Sequence, residues 1–347
     1  MEFKLMDLQL FATTVPVQPV QGTNAMGYAS GDLGANGATT NFGKLLEPGL
    51  RKIFFETYDE EPEQFSRIYN IADSDKARET DWGMGAFGDW TQRTTQLDTV
   101  DYKTLASGLQ RTYVHNAFTQ GFMITREMFD DDQYRQMDKM PQAMARAGRA
   151  KVEKDALIPL INGFSKDIGG VGASAIYDGK ALFASDHPLL NGGAKVGKNM
   201  ITGKLTDANL KLAIQMMRET FDEAGNMIQL RPDTLIIPPA LEDTAVRLLQ
   251  STQIAGTANN DTNAYLSGKG IKIVVMEYLG TAGGGNDLYW YLQDSKRHQL
   301  NFFWRKRPEF KWAEEFDNFV AKYRGYMRYS YGVSDWRGLV GSNGTTA

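Results

Sequence analysis

The chain has 347 residues, 38 basic and 42 acidic side chains for a net charge of −4, and no cysteine. That balance excludes a dedicated nucleic-acid binder, which carries a clear basic excess, and the missing thiols exclude disulfides and thiolate metal sites. No run of about 18 apolar residues is present, so no transmembrane helix is expected, and the apolar start MEFKLMDLQLFA is broken by Lys4, Asp7 and Gln9, unlike a secretory h-region.

Residues 12–43 hold six glycines, two prolines and one charge, Asp32. Such a segment buries no core of its own. On composition alone it reads as a disordered tail; if it is held as an arm, 1–43, a neighbouring subunit is the simplest candidate for holding it, with Phe11 and Tyr28 as candidate contacts. Residues 44–58 predict an amphipathic helix with Leu46, Leu50, Ile53, Phe54 and Tyr58 on one face and Pro48 in its first turn. Residues 75–117 are polar and rich in threonine and glycine. Thr99–Leu105 and Gln110–Phe118 are the expected strands of a long hairpin that projects from the body. With so little apolar surface it has no burial partner in its own chain, so Trp82, Trp90, Lys103 and Arg111 are candidate residues for contact with another subunit.

From Asp132 to Asn162 the pattern predicts one long helix. Its stripe is Met137, Met140, Met144, Gly148, Val152, Ala156, Leu160 and Ile161; Asp132 is placed to cap it, and Pro141 bends it or marks its first turn. About thirty residues at 1.5 Å each span roughly 45 Å. Residues 163–204 are glycine-rich, with a short strand expected at Leu182-Phe183. Thr206 then caps a helix running through Ala224, with Gly225 as its stop. Strand 234–237, helix 240–250 and strands at Ile271–Tyr278 and Leu288–Leu292 complete a compact α/β unit. From Phe319 to Val333 odd positions are mainly apolar and even positions mostly polar, which predicts a strand of about 50 Å with one buried face. Helix and strand of matching length are expected to pack together, with Met144, Val152 and Tyr323 in the buried seam. The fold class is α+β.

Four features invite a chemical reading. Gly83–Gly88 matches G-x-G-x-x-G but lacks the preceding apolar strand and following helix that a dinucleotide fold needs. Gly192–Lys198 matches a phosphate loop except that Asn199 stands where a hydroxyl holds magnesium. His187, in Asp186-His187-Pro188, reads as a structural histidine, and Asp130–Asp132 as carboxylates favouring a helix start. Residues 298–337 interleave twelve aromatics with eight Lys or Arg, but five acidic residues dilute the charge and strand alternation explains most of the rings as core.

Three segments carry a family resemblance: Thr119–Tyr134 (TQGFMITREMFDDDQY), Ala181–Gly193 (ALFASDHPLLNGG) and Arg231–Ser251 (RPDTLIIPPALEDTAVRLLQS). In this order, with the opening Leu8–Ala12 (LQLFA), they resemble the major capsid proteins of tailed phages, especially the Mu-type head-subunit group. The resemblance implies the Hong Kong 97-type capsid fold: an N-terminal arm, 1–43; a peripheral domain from 44–74, 118–204 and 293–347; an E-loop, 75–117; and an axial domain, 205–292. It implies a structural subunit, not an enzyme and without cofactor, that self-assembles in the host cytoplasm into the hexamers and pentamers of a virion head, icosahedral or prolate, enclosing double-stranded DNA. The implied partners are other copies of the chain, a portal protein, a decoration protein, and packaged DNA in nonspecific contact. Many relatives carry a scaffolding domain of about a hundred residues ahead of the arm; none is seen here, so a separate scaffold protein is implied. Some relatives weld the loop through a lysine and an asparagine. Lys103 is the sole lysine between Arg78 and Asp138, and no weld is expected, because it also needs a buried carboxylate beside the lysine. The alternatives are an encapsulin-type nanocompartment, whose shells usually lack a long glycine-rich arm, and an α/β enzyme, for which no nucleophile–base pair or metal cluster is legible.

Overall fold

Alternating burial along two long strands and continuous burial along three short ones organise the chain. The computed structural model describes residues 42–95, 99–100, 102, 104–105, 107–131, 135–167, 176–189, 195–251, 264–315 and 320–345. Phe11, Tyr28, Lys103 and the expected cap Asp132 lie outside the described residues. In chain order the elements are α1 (Phe42–Glu60), β1 (Asn70–Asp73), β2 (Arg78–Met84), β3 (Ser107–Val114), β4 (Asn116–Thr125), α2 (Arg126–Asp130) and α3 (Gln136–Ile161). There follow β5 (His187–Pro188), β6 (Val196–Gly197), β7 (Met200–Ile201), α4 (Asp207–Arg218), β8 (Thr234–Ile237), α5 (Glu242–Gln250), α6 (Ala264–Ser267), β9 (Lys272–Val275), β10 (Trp290–Gln293), β11 (Leu300–Glu315), β12 (Val320–Val333) and β13 (Leu339–Ser342). A four-stranded sheet runs β1-β11-β12-β4 and a five-stranded sheet β7-β13-β10-β8-β9; β2 pairs with β3 and β5 with β6.

The chain divides into two compact units, the first from 1–57, 120–145 and 310–325, the second from 58–119, 146–309 and 326–347. The division falls inside α1, β4, α3, β11 and β12. In the first unit Tyr323 is the central aromatic. It stacks on Phe122 at 5.2 Å and on Phe310 at 5.8 Å, and Phe310 meets Phe54 of α1 at 5.4 Å. Its hydroxyl donates to Gly43 O at 2.9 Å. Met144 is buried, with its Cε 3.4 Å from where a Cβ on Gly325 would stand. Thr125 caps α2, its Oγ1 accepting from Met128 N at 3.2 Å.

In the second unit the five-stranded sheet separates two cores. Residues of β8, β10 and β13 are buried on both faces. Ile236, Tyr291 and Leu339 point into a core with Val152, Ala156, Leu157 and Leu160 of α3 and with Phe302, Trp304, Tyr329 and Tyr331. Leu235, Ile237, Trp290, Leu292 and Val340 point into a second core with α4 and α5. Strands covered on both sides read as short continuous apolar runs rather than alternations. Tyrosine hydroxyls tie α3 down: Tyr291 donates to Leu160 O at 2.9 Å, and Tyr329 to Asp155 Oδ2 at 2.7 Å. Arg149 of α3 donates to Tyr58 O, lies 4.2 Å above the Tyr58 ring and pairs with Glu63. Glu153 accepts from Gln64 N and Phe65 N at 2.9 and 3.0 Å, covering the start of the short turn at Phe65–Arg67.

Several expectations are corrected. The strand facing Gln110–Val114 is β2, not Thr99–Leu105: β2 and β3 pair Arg78↔Val114 through Trp82↔Gln110. The described residues of 99–105 are not strand. Helix α1 starts at Phe42, so Pro48 sits inside it, where it removes the bond to Lys44 O. Leu182 and Phe183 are buried loop, not strand. Helix α4 ends at Arg218, where Thr220 Oγ1 donates back to Met216 O, and Gly225 (φ +87°) closes a turn in which Asp222 Oδ1 accepts from Ala224 N and Asn226 N. β7 and β13 bring strands to the five-stranded sheet from outside 205–292. β11 was masked in the sequence by Lys306 and Pro308, which interrupt the alternation of Leu300, Phe302, Trp304 and Phe310.

Candidate assembly site

The β2–β3 hairpin leaves several large apolar side chains in solvent. Trp90 is 99% exposed and Tyr102 91%, with Phe87, Val100 and Trp82 also exposed. Phe87, Trp90, Val100 and Tyr102 line one open hollow with the threonines 91, 94 and 99. An indole fully in water forgoes roughly 1.5–3 kcal/mol of burial, and an apolar patch of this kind marks a contact surface.

The root of the hairpin is built differently. Arg111 was expected on a contact surface, but it is 3% exposed, its guanidinium 5.4 Å above the Tyr113 ring. Tyr113 OH lies 2.5 Å from Ser334 Oγ. Gly83 lies against Tyr177, where a Cβ would stand 2.6 Å from the ring, so side-chain volume is excluded there. Beside it Tyr177 OH donates to Glu223 Oε1 at 2.5 Å, Arg337 Nη2 pairs with Glu223 at 2.7 Å and Nη1 with Asp335 at 3.1 Å. Burial raises the Asp335 carboxyl above its ordinary range against the pull of Arg337. Burial works against the Arg337 charge, yet Asp335, Tyr177 and Glu223 hold its pKa above the ordinary value. A charge set this well paired and covered fixes a geometry. Arg111, Asp81 and this cluster line a partly open polar pocket of about 140 Å³.

The features that invite chemistry resolve structurally. Gly83 lies inside the antiparallel strand β2, where its register shifts, and no helix lies between β2 and β3 among the described residues. Asn199 Nδ2 donates to Leu182 O and its Oδ1 accepts from Ala184 N, so it belongs to the core rather than to a phosphate loop. His187 is fully buried, stacked 4.5 Å from Trp336, with Nδ1 2.6 Å from Asp178 Oδ2 and Nε2 3.0 Å from Asn199 Oδ1. His298 Nδ1 accepts from Leu300 N, and burial lowers its pKa to about 4. Asp130 pairs with Arg126. Among the described residues no cluster of three metal-ligating side chains occurs and no helix is long and apolar enough to cross a membrane.

A helix-on-sheet core, a second α/β core on the other face of the five-stranded sheet and a β2–β3 hairpin with exposed aromatics make up an α+β fold. The model of the phage capsid protein family matches residues 108–342, and the chain belongs to that family. Solved structures show the same fold at low identity. A chain from Microbacterium phage Oxtober96 is 10% identical with a TM-score of 0.51, covering 81% of this chain and 92% of that one. The capsid of a native GTA particle is 12% identical with a TM-score of 0.51, covering 82% and 90%. The capsid of bacteriophage JBD30 decorated with minor capsid protein trimers is 15% identical with a TM-score of 0.50, covering 68% and 98%. No curated protein matches. The chain is a structural phage capsid subunit with the Hong Kong 97-type fold, and thus a component of a virion.

Proposed function

We propose that copies of this chain close into hexamers and pentamers through heterologous contacts, with the hairpin as the E-loop laid on an adjacent copy. The observation that carries the reading is Trp90, 99% exposed and lining an open hollow with Phe87, Val100 and Tyr102. The arm 1–43 adds a second contact to a neighbour, Phe11 and Tyr28 included. The residues at 205–292 form the axial domain around the ring centre, and 44–74, 118–204 and 293–347 the peripheral domain. The head, assembled in the host cytoplasm, encloses double-stranded DNA. A portal protein, a separate scaffold protein and a decoration protein complete it. The chain catalyses nothing: the His115 and His187 rings each lie between two hydrogen-bond partners and the His298 ring accepts from Leu300 N. Lys103 forms no covalent link.

The test is Trp90→Ser. A side chain as exposed as Trp90 contributes within about 0.5 kcal/mol to subunit stability. Chemical unfolding of the variant is therefore expected to match the parent while its yield of closed particles falls at least about tenfold, because a loss at one contact is repeated at every copy of it in the shell. Normal particle yield from the variant contradicts the hairpin contact.

A further inference from the structure

The root of the hairpin also holds a titratable group that the shell reading leaves unused. His115 joins β3 to β4 and is 3% exposed. Its Nε2 lies 3.2 Å from Ser74 Oγ and its Nδ1 2.9 Å from Ser330 Oγ. Ser74 has a single hydroxyl hydrogen, and its Oγ donates to Glu79 Oε1 at 2.7 Å. Nε2 must therefore carry a proton and donate to Ser74, which leaves Nδ1 as the acceptor of the Ser330 hydroxyl in a neutral ring. We propose that His115 is a proton-operated latch: the neutral imidazole closes a chain from Glu79 through Ser74 and His115 to Ser330, tying the hairpin's root to β12, and protonation opens it.

The surroundings set the direction. A second ring proton points at the Ser330 hydroxyl, and Ser330 is fully buried, so that hydroxyl must turn without water to receive it. The charged groups facing the ring are Glu79 on β2, Arg328 on β12 and Arg305 on β11. Glu79 is itself paired with Lys76, and Arg328 Nε donates to the His115 carbonyl at 3.1 Å. Burial first, then Arg328, with a smaller push from Arg305, lowers the His115 pKa, while Glu79 opposes them. The closed root therefore binds fewer protons than the open one. Its stability is complete at neutral pH and is lost as the pH falls below about 6.5, the ordinary histidine value. The latch belongs to the single subunit and holds whether or not the hairpin meets another copy.

Hydrogen exchange followed by mass spectrometry on the unassembled full-length chain tests it, with rates corrected for the intrinsic effect of pH. Between about pH 7.5 and about pH 5, peptides covering 74–84 and 107–118 are expected to open between about threefold and thirtyfold more often, the upper limit being that of an ordinary histidine in the open state. Peptides covering β8 and β10 are expected to stay protected. His115→Gln, which keeps a donor and cannot gain a proton, is expected to remove the acid response. Arg328→Gln, which keeps the histidine and removes a repelling cation, is expected to shrink it and stands in if His115→Gln fails to fold. An unchanged root in the parent, an opening that spreads equally to β8 and β10, or an undiminished response in the variants overturns the latch.

Discussion

Gly148 and Gly197 show how close packing decides the sign of the same substitution. A Cβ on Gly197 would stand 2.4 Å from Trp336 Cζ2, on a ring already clamped by His187 at 4.5 Å. Neither ring can retreat, so Gly197→Ala is expected to destabilise the subunit by about 1–3 kcal/mol. On Gly148, inside α3, a Cβ would meet only Tyr58 Cε2 at 3.7 Å, an ordinary contact. There alanine's helix propensity prevails, and Gly148→Ala is expected to stabilise by about 1 kcal/mol. Urea denaturation measures both; two shifts of the same sign contradict the local packing. Neither outcome was legible from the sequence, where both glycines stand among polar and small residues.

Among the elements, α3 and the two long strands carry the subunit. Val152 lies fully buried with Ala156, Leu157, Tyr329 and Tyr331 in one core, and Tyr323 lies buried against Phe122 and Phe310 in the other unit. Val152→Asp or Tyr323→Asp leaves a carboxylate without a partner, at a cost of several kcal/mol. Both variants are expected in the insoluble fraction; soluble, cooperatively unfolding variant subunits contradict the packing. The helix stripe and the alternation of β12 announced these elements because 3.6- and 2-residue periods survive wherever one face is wet. The alternation fails at Ser330, where both faces become buried. Three other features could not be read. β2 has a polar sequence, RETDWGM, and is a strand only because β3 pairs with it. β13 is four residues from the far end of the chain, inserted between β7 and β10. The root cluster of Tyr177, Glu223, Asp335 and Arg337 joins residues from distant segments, and no local spacing announces it. Arg111 was read as a contact residue because its polar segment offered no burial partner in its own chain; part of its cover comes from Tyr113, a residue two positions on that points to the same face.

For the whole molecule, the proposed assembly assigns contacts to the arm and to the hairpin. Helix α1 begins at Phe42 and Gly43 O accepts the Tyr323 hydroxyl, so a clean removal of the arm stops at residue 41. Deletion of 1–41 is expected to leave the unfolding midpoint of the subunit unchanged while reducing the yield of closed particles; full yield contradicts the arm's role. The measurement that bears most directly on the central claim is electron microscopy of the purified full-length chain, concentrated without other phage proteins. Self-assembly into rings, sheets or closed shells with five- and six-fold clusters is the predicted result. A monodisperse monomer at every concentration, folded by circular dichroism yet never associating, would contradict it.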